Sequence, residues 1–143
     1  MRANAWLTVL TVLALQAGCA RPPPEQQLRT ALTSLQASIE ARDASALEAT
    51  LASDFVGQDG LDRDGARRLA MAMFLRHRDV GARIGPPRIT LMGQHARVQF
   101  TAALTGGAGG ILPDAARVFD VETAWRMEDG DWRLISAQWA PRL

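Results

Sequence analysis

"RITLMGQHARVQFTAAL", Arg88 to Leu104, decides the fold. Ile89 and Leu91 alternate with Arg88 and Thr90 until Gly93-Gln94 interrupts the run. Beyond it, Ala96, Val98, Phe100, Ala102 and Leu104 alternate with His95, Arg97, Gln99 and Thr101. Neighbouring side chains of a strand point to opposite faces, so a period of two means a strand with one apolar face. Two such runs around a short glycine-containing break predict a hairpin. The pattern returns over Arg117–Met127, where Phe119, Val121, Thr123 and Trp125 share a face. Glu128-Asp129-Gly130-Asp131 reads as another hairpin turn, and a strand from Trp132 to Trp139 closes the chain.

Upstream the period changes. Leu28, Leu32, Leu35 and Ile39 recur every three or four residues, which predicts an amphipathic helix ended by Ala41-Arg42-Asp43. Ser45 and Glu48 fit a capping box for a second helix, with Leu47, Leu51 and Phe55 as its stripe. "GQDGLDRDG" is turn chemistry. A third helix follows over Arg63–Arg78, burying Ala66, Leu69, Ala70, Met73 and Phe74. Pro86-Pro87 separates the helical part from the strands. Helices first and an antiparallel meander after them predict an α+β domain over 25–143, with the helices on one face of the sheet.

Composition narrows the function classes. The chain has 143 residues, which suits one domain. Its 16 basic residues, all arginine, meet 15 acidic ones, so no long-range field exists to capture nucleic acid. One cysteine excludes an internal disulfide and a thiolate metal cage, and two histidines offer little else to a metal. No cofactor is expected.

The first twenty residues read as a leader. Arg2 precedes the apolar run "AWLTVLTVLAL", Ala5 to Leu15, and small residues follow at Ala17 and Gly18. The run is well short of the roughly 20 residues that span a bilayer. Ala17-Gly18-Cys19 resembles the bacterial lipobox, although Leu15 stands one place further from the cysteine than usual, with Gln16 between. That resemblance implies a lipoprotein signal peptide over 1–18 and attachment of diacylglycerol, with palmitate-type chains, to Cys19. Ala20 rather than Asp after the cysteine implies the outer membrane, facing the periplasm. Arg21-Pro22-Pro23-Pro24 would make 19–24 a short stiff tether. The alternative is cleavage after Ala20 and a soluble periplasmic protein.

"EQQLRTALTSLQASIEARDASALEATLASDFV", "ITLMGQHARVQF" and "VETAWRMEDGDWRLISAQW" together resemble the nuclear transport factor 2-like superfamily. The resemblance covers Glu25 to Trp139 and implies a strongly curved sheet wrapped around a long helix as a cone-shaped half-barrel. The superfamily includes ketosteroid isomerase, polyketide cyclases, scytalone dehydratase, limonene epoxide hydrolase and many binding or scaffold domains, so the fold alone selects no activity.

The chain lacks Tyr, which the isomerase and scytalone dehydratase use, so neither catalytic set carries over. Asp120 and Glu122 lie on the face opposite Phe119, Val121 and Trp125, where pairing with Arg97 and His95 on the next strand accounts for them. His77, between Arg76 and Arg78, reads as a solvent-facing helix end, and Asp54 as a cap or ion-pair partner. No catalytic residue is assigned. An apolar ligand in the cone would meet Phe55, Met73, Phe74, Phe100, Phe119 and Trp125. The expected function is therefore a non-catalytic envelope lipoprotein that binds a small apolar molecule or an envelope protein partner. A small lyase or isomerase, and a structural homodimer acting as a periplasmic scaffold, are the alternatives.

Overall fold

The computed structural model describes residue 18, residues 20–107 and residues 115–142. The expected leader up to residue 17, Cys19, the loop 108–114 and the last residue, 143, lie outside the described residues. Helix α1 spans Pro24–Glu40. Pro24 occupies its first turn, where the missing N–H costs nothing, so the helix takes in the last proline of the expected tether. The indole nitrogen of Trp132 donates to the Pro24 carbonyl at 3.0 Å and fixes this start against the sheet. Leu28 and Leu32 are buried, while Leu35 and Ile39 continue the stripe.

The end of α1 is tied to another helix. The Asp43 N–H donates to Ser38 O at 2.9 Å and the Arg42 N–H to Ile39 O at 3.0 Å, the paired bonds of a Schellman ending. That ending puts Arg42 at φ 56°, where glycine is usual. Arginine is used because its guanidinium donates to the carbonyls of Arg78, at 3.0 Å, and Phe74 at the end of helix α3, Arg63–Arg76. A cation there suits the helix dipole. Arg42→Ala should therefore cost about 1–2 kcal/mol in a urea titration, from lost charge-assisted bonds. Arg42→Gly should cost about 1 kcal/mol less, because glycine relieves the left-handed backbone. Equal losses in the two variants would contradict this account.

Helix α2 is only Ala44–Thr50, and its cap differs from the expectation. Asp43, not Ser45, is the N-cap, and its carboxylate accepts the Ala46 N–H at 2.9 Å. Glu48 turns instead to Arg63 and Arg67, at 3.2 and 3.3 Å. Leu51 and Phe55 do not extend α2. They belong to strand β1, Leu51–Gly57, which runs parallel to the last strand, β6, Asp131–Pro141. The sheet is thus mixed rather than wholly antiparallel. The register slips between Leu51 and Val56, so the buried positions 51, 52, 55 and 57 imitate helical spacing.

The remaining strands are β2, Asp79–Ile84; β3, Arg88–Met92; β4, His95–Gly107; and β5, Ala115–Glu128. Their order is β1-β6-β5-β4-β2, with β3 also pairing β4. β2 was not anticipated. It takes one half of the β4 edge and β3 the other, with Gly85, Pro86 and Pro87 between them. The Gly93-Gln94 and Asp129-Gly130 turns form as expected, with Gly93, Asp129 and Gly130 all at positive φ. The sheet curls over α1 without closing. Its narrow part is filled by Leu28, Leu32, Phe55, Val98, Trp125, Trp132 and Leu134.

Candidate functional site

Past Leu35 the core opens. Leu35 and Ile39 of α1, Ala82 and Ile84 of β2, and the inward residues of β4, β5 and β6 enclose a cavity of about 290 Å³. Small residues create the space: Ala82, Ala102 and Ala137 stand on three different strands. Phe100, Phe119, Val121 and Trp139 are among the larger side chains of the wall. Arg83 touches the rim from the outward register of β2. Among the described residues the other polar groups of the wall are the Trp139 indole and Thr123, and Thr123 is spoken for: it donates to Val98 O at 3.2 Å and accepts the Trp125 indole N–H at 2.9 Å.

A second hollow of about 420 Å³ shares Ile39, Leu104 and Phe119 with the first and forms its mouth. Met73, Phe74 and His77 border it from the end of α3, and Val80, Thr105, Gly106 and Arg117 from the strands. His77 ends α3, its N–H bonded to Met73 O, and is half-buried rather than solvent-facing. The missing side chain of Gly106 makes room for its ring: a Cβ there would stand 2.9 Å from His77 Nδ1. No described carboxylate lines either hollow.

The residues expected to meet a ligand divide. Phe100 and Phe119 line the cavity, and Met73, Phe74 and again Phe119 line the mouth. Phe55 and Trp125 do not reach either space. They are 4% and 0% exposed and pack in the narrow part with Leu28, Leu32 and Leu134. Trp139, Ala137, His77 and Arg117 complete the site and were not anticipated. Strict period two from Trp132 and Leu134 would put Ala137 and Trp139 on the outer face; a register shift in the β5–β6 ladder between Leu134 and Ser136 brings them inward, opposite Thr123 and Val121.

The outer face of the sheet carries the charges. Gln99 donates to Glu122 at 2.8 Å, Arg97 lies 3.7 Å from the same carboxylate, and Arg142 lies 3.9 Å from Asp120. A wide hollow of about 840 Å³ is an open shelf over this network, whose carboxylates already have arginine partners. Asp54 pairs with Arg126 through two bonds of 2.7 and 3.1 Å, and Arg126 also contacts Glu128. Hydrogen bonds from Arg126 hold the Asp54 carboxyl below its ordinary 3.8 and, outweighing desolvation, raise Arg126 in turn. A depressed carboxyl stabilises the fold above its unfolded pKa, and that contribution disappears as pH falls through the folded pKa. The stability gap between the native chain and Asp54→Asn should therefore be constant at neutral pH and shrink only below the ordinary 3.8. Urea titrations at stepped pH measure it, and a gap that grows on acidification would refute the assignment.

No protein-family model matches the chain, and no curated protein matches it significantly. Solved structures do. Bd1075 of Bdellovibrio bacteriovorus superposes with a TM-score of 0.73 at 12% identity, over 82% of this chain and 41% of that one, so this chain spans less than half of Bd1075. A candidate dehydratase from the NTF2-like family of Streptomyces avermitilis gives 0.71 at 16% identity, over 82% and 95%. A candidate scytalone dehydratase from Novosphingobium aromaticivorans gives 0.72 at 11% identity, over 83% and 84%.

Proposed function

We propose that this chain, which has the nuclear transport factor 2-like fold, is an envelope lipoprotein that holds a small apolar molecule in its cone without transforming it. The apolar cavity of about 290 Å³ carries the reading. Ligand pockets are mostly apolar with a few polar groups to orient the guest, and this one fits that description. Its wall offers no carboxylate among the described residues and no tyrosine, so general acid–base work has little to draw on.

Linear alkanols test the cavity. Each added methylene should tighten binding about fourfold, the equivalent of ~0.8 kcal/mol, until the cavity is full. Calorimetry showing affinity independent of chain length would sink the proposal. The envelope half is read from the leader sequence. Lipidation of Cys19 predicts a mature chain starting at that residue with the added mass of its acyl groups, and an unmodified mature start at Arg21 would replace it with soluble periplasmic placement.

The second reading is a dehydratase, supported by the names of two structural neighbours. His77 is the one proton-transferring side chain bordering the described mouth, so turnover that survives His77→Ala would remove that reading.

A further inference from the structure

We propose that the guest is an amphipathic anion, an acyl chain in the cavity with its carboxylate at the mouth beside Arg117 and His77. This rests on the apolar-cavity reading and adds the identity of the head group. The inward row of β5 runs Thr123, Val121, Phe119 and reaches Arg117 at the mouth. Arg117 faces Leu104 across the β4–β5 ladder, so it shares the face of the cavity wall. The row therefore carries a permanent cation at the mouth.

The opposite side of the mouth has matching chemistry. The inward row of β4 runs Phe100, Ala102, Leu104 and then Gly106, where the His77 ring fills the place of a side chain. The mouth thus presents a guanidinium and an imidazole, with apolar surface from Ile39, Met73 and Phe74 leading inward. Among the described carboxylates of the ladder, Asp79 pairs with Gly107 in the outward register at the start of β2, and Asp120 and Glu122 belong to the other face and pair with Arg142 and Arg97 there. A carboxylate bound to arginine gains two parallel charge-assisted hydrogen bonds that an alcohol cannot match. A cationic head would face the Arg117 guanidinium at this mouth.

Decanoate and decanol, which share a tail and differ in the head, separate the two claims. The purified chain should bind decanoate about tenfold or more tighter than decanol, the yield of a charge-assisted pair. Arg117→Gln should erase that preference and leave decanol within about twofold of its native affinity, the tail contacts being untouched. Arg117→Glu should bind decylammonium in preference to decanoate, which a merely misfolded variant would not do. Equal binding of decanoate and decanol by the native chain, or a preference indifferent to both substitutions, overturns the head-group assignment and leaves the apolar cavity standing. Failure of the native chain to bind any of the three probes overturns both.

Discussion

Replacing Trp125 with alanine is expected to lower the unfolding free energy by about 3–5 kcal/mol, the usual cost of deleting a large buried aromatic. That is a large share of the roughly 5–15 kcal/mol by which domains are stable. The indole is 0% exposed and lies in the narrow part of the core, opposite Ala96 on β4 and Leu134 on β6. Its neighbours come from the helix and from several strands, so the space left behind has no single loop that could move in to fill it. The polar end matters as well. Its N–H donates to Thr123 Oγ1 at 2.9 Å, and Thr123, 2% exposed, passes its own proton to Val98 O. Thr123→Val should cost about 1–3 kcal/mol, because it strands the indole donor in the core. Trp125→Phe made on top of Thr123→Val should then cost less than Trp125→Phe alone, since the unmatched donor leaves with the indole. Urea titrations followed by circular dichroism give all four corners of this cycle. Strictly additive losses would mean that the relay has no energetic role.

Ala102→Leu is expected to give two effects of opposite sign. Ala102 lies on β4 opposite Phe119 and Ile84, with its methyl group toward the cavity. Three more carbons there would fill space rather than crowd the packed end, so stability should rise by about 0.5–2 kcal/mol. Alkanol binding should weaken about tenfold or more, because displacing two methylenes of the guest forfeits ~0.8 kcal/mol each. Thermal melts and calorimetry on one preparation give both numbers. A variant that loses stability and keeps its affinity would place the guest elsewhere.

The strands β3, β4 and β5 were legible because their apolar residues alternate, and the turns at Gly93 and Gly130 because glycine stands there at positive φ; β6 was placed although a register shift breaks its alternation. Helix α1 was legible because Leu28, Leu32, Leu35 and Ile39 keep one face. β1 was not. A slip in its pairing places Leu51 and Phe55 four apart, in step with Leu47, and a parallel partner some eighty residues downstream leaves no local trace. β2 escaped notice because Gly81 and Ala82 give little contrast between its faces, although Val80, Ala82 and Ile84 do alternate. In the site, the inward face of Phe100 and Phe119 could be read from period two. Depth along that face could not: Trp125 and Phe119 share a face of β5, but one is sealed by α1 and the other borders the open space. His77 sits between two arginines and looks solvated from sequence, yet β2 and β4 bring Gly106 against it. Arg117 reaches the mouth because β5 extends past Phe119 to Ala115, which carries its inward register as far as the end of α3.

The interrupted border of β4 has a consequence for life at high local concentration. A long free strand edge is a template on which another chain can add. Here that margin is cut into two short pieces at Pro86-Pro87, neither proline can donate to an incoming backbone, and Arg83 and Arg88 flank the gap. The opposite margin, β1, is irregular in register and is bridged at Val56 to Asp62. Neither border offers an unbroken ladder, so copies crowded together on one surface can touch without knitting into fibrils.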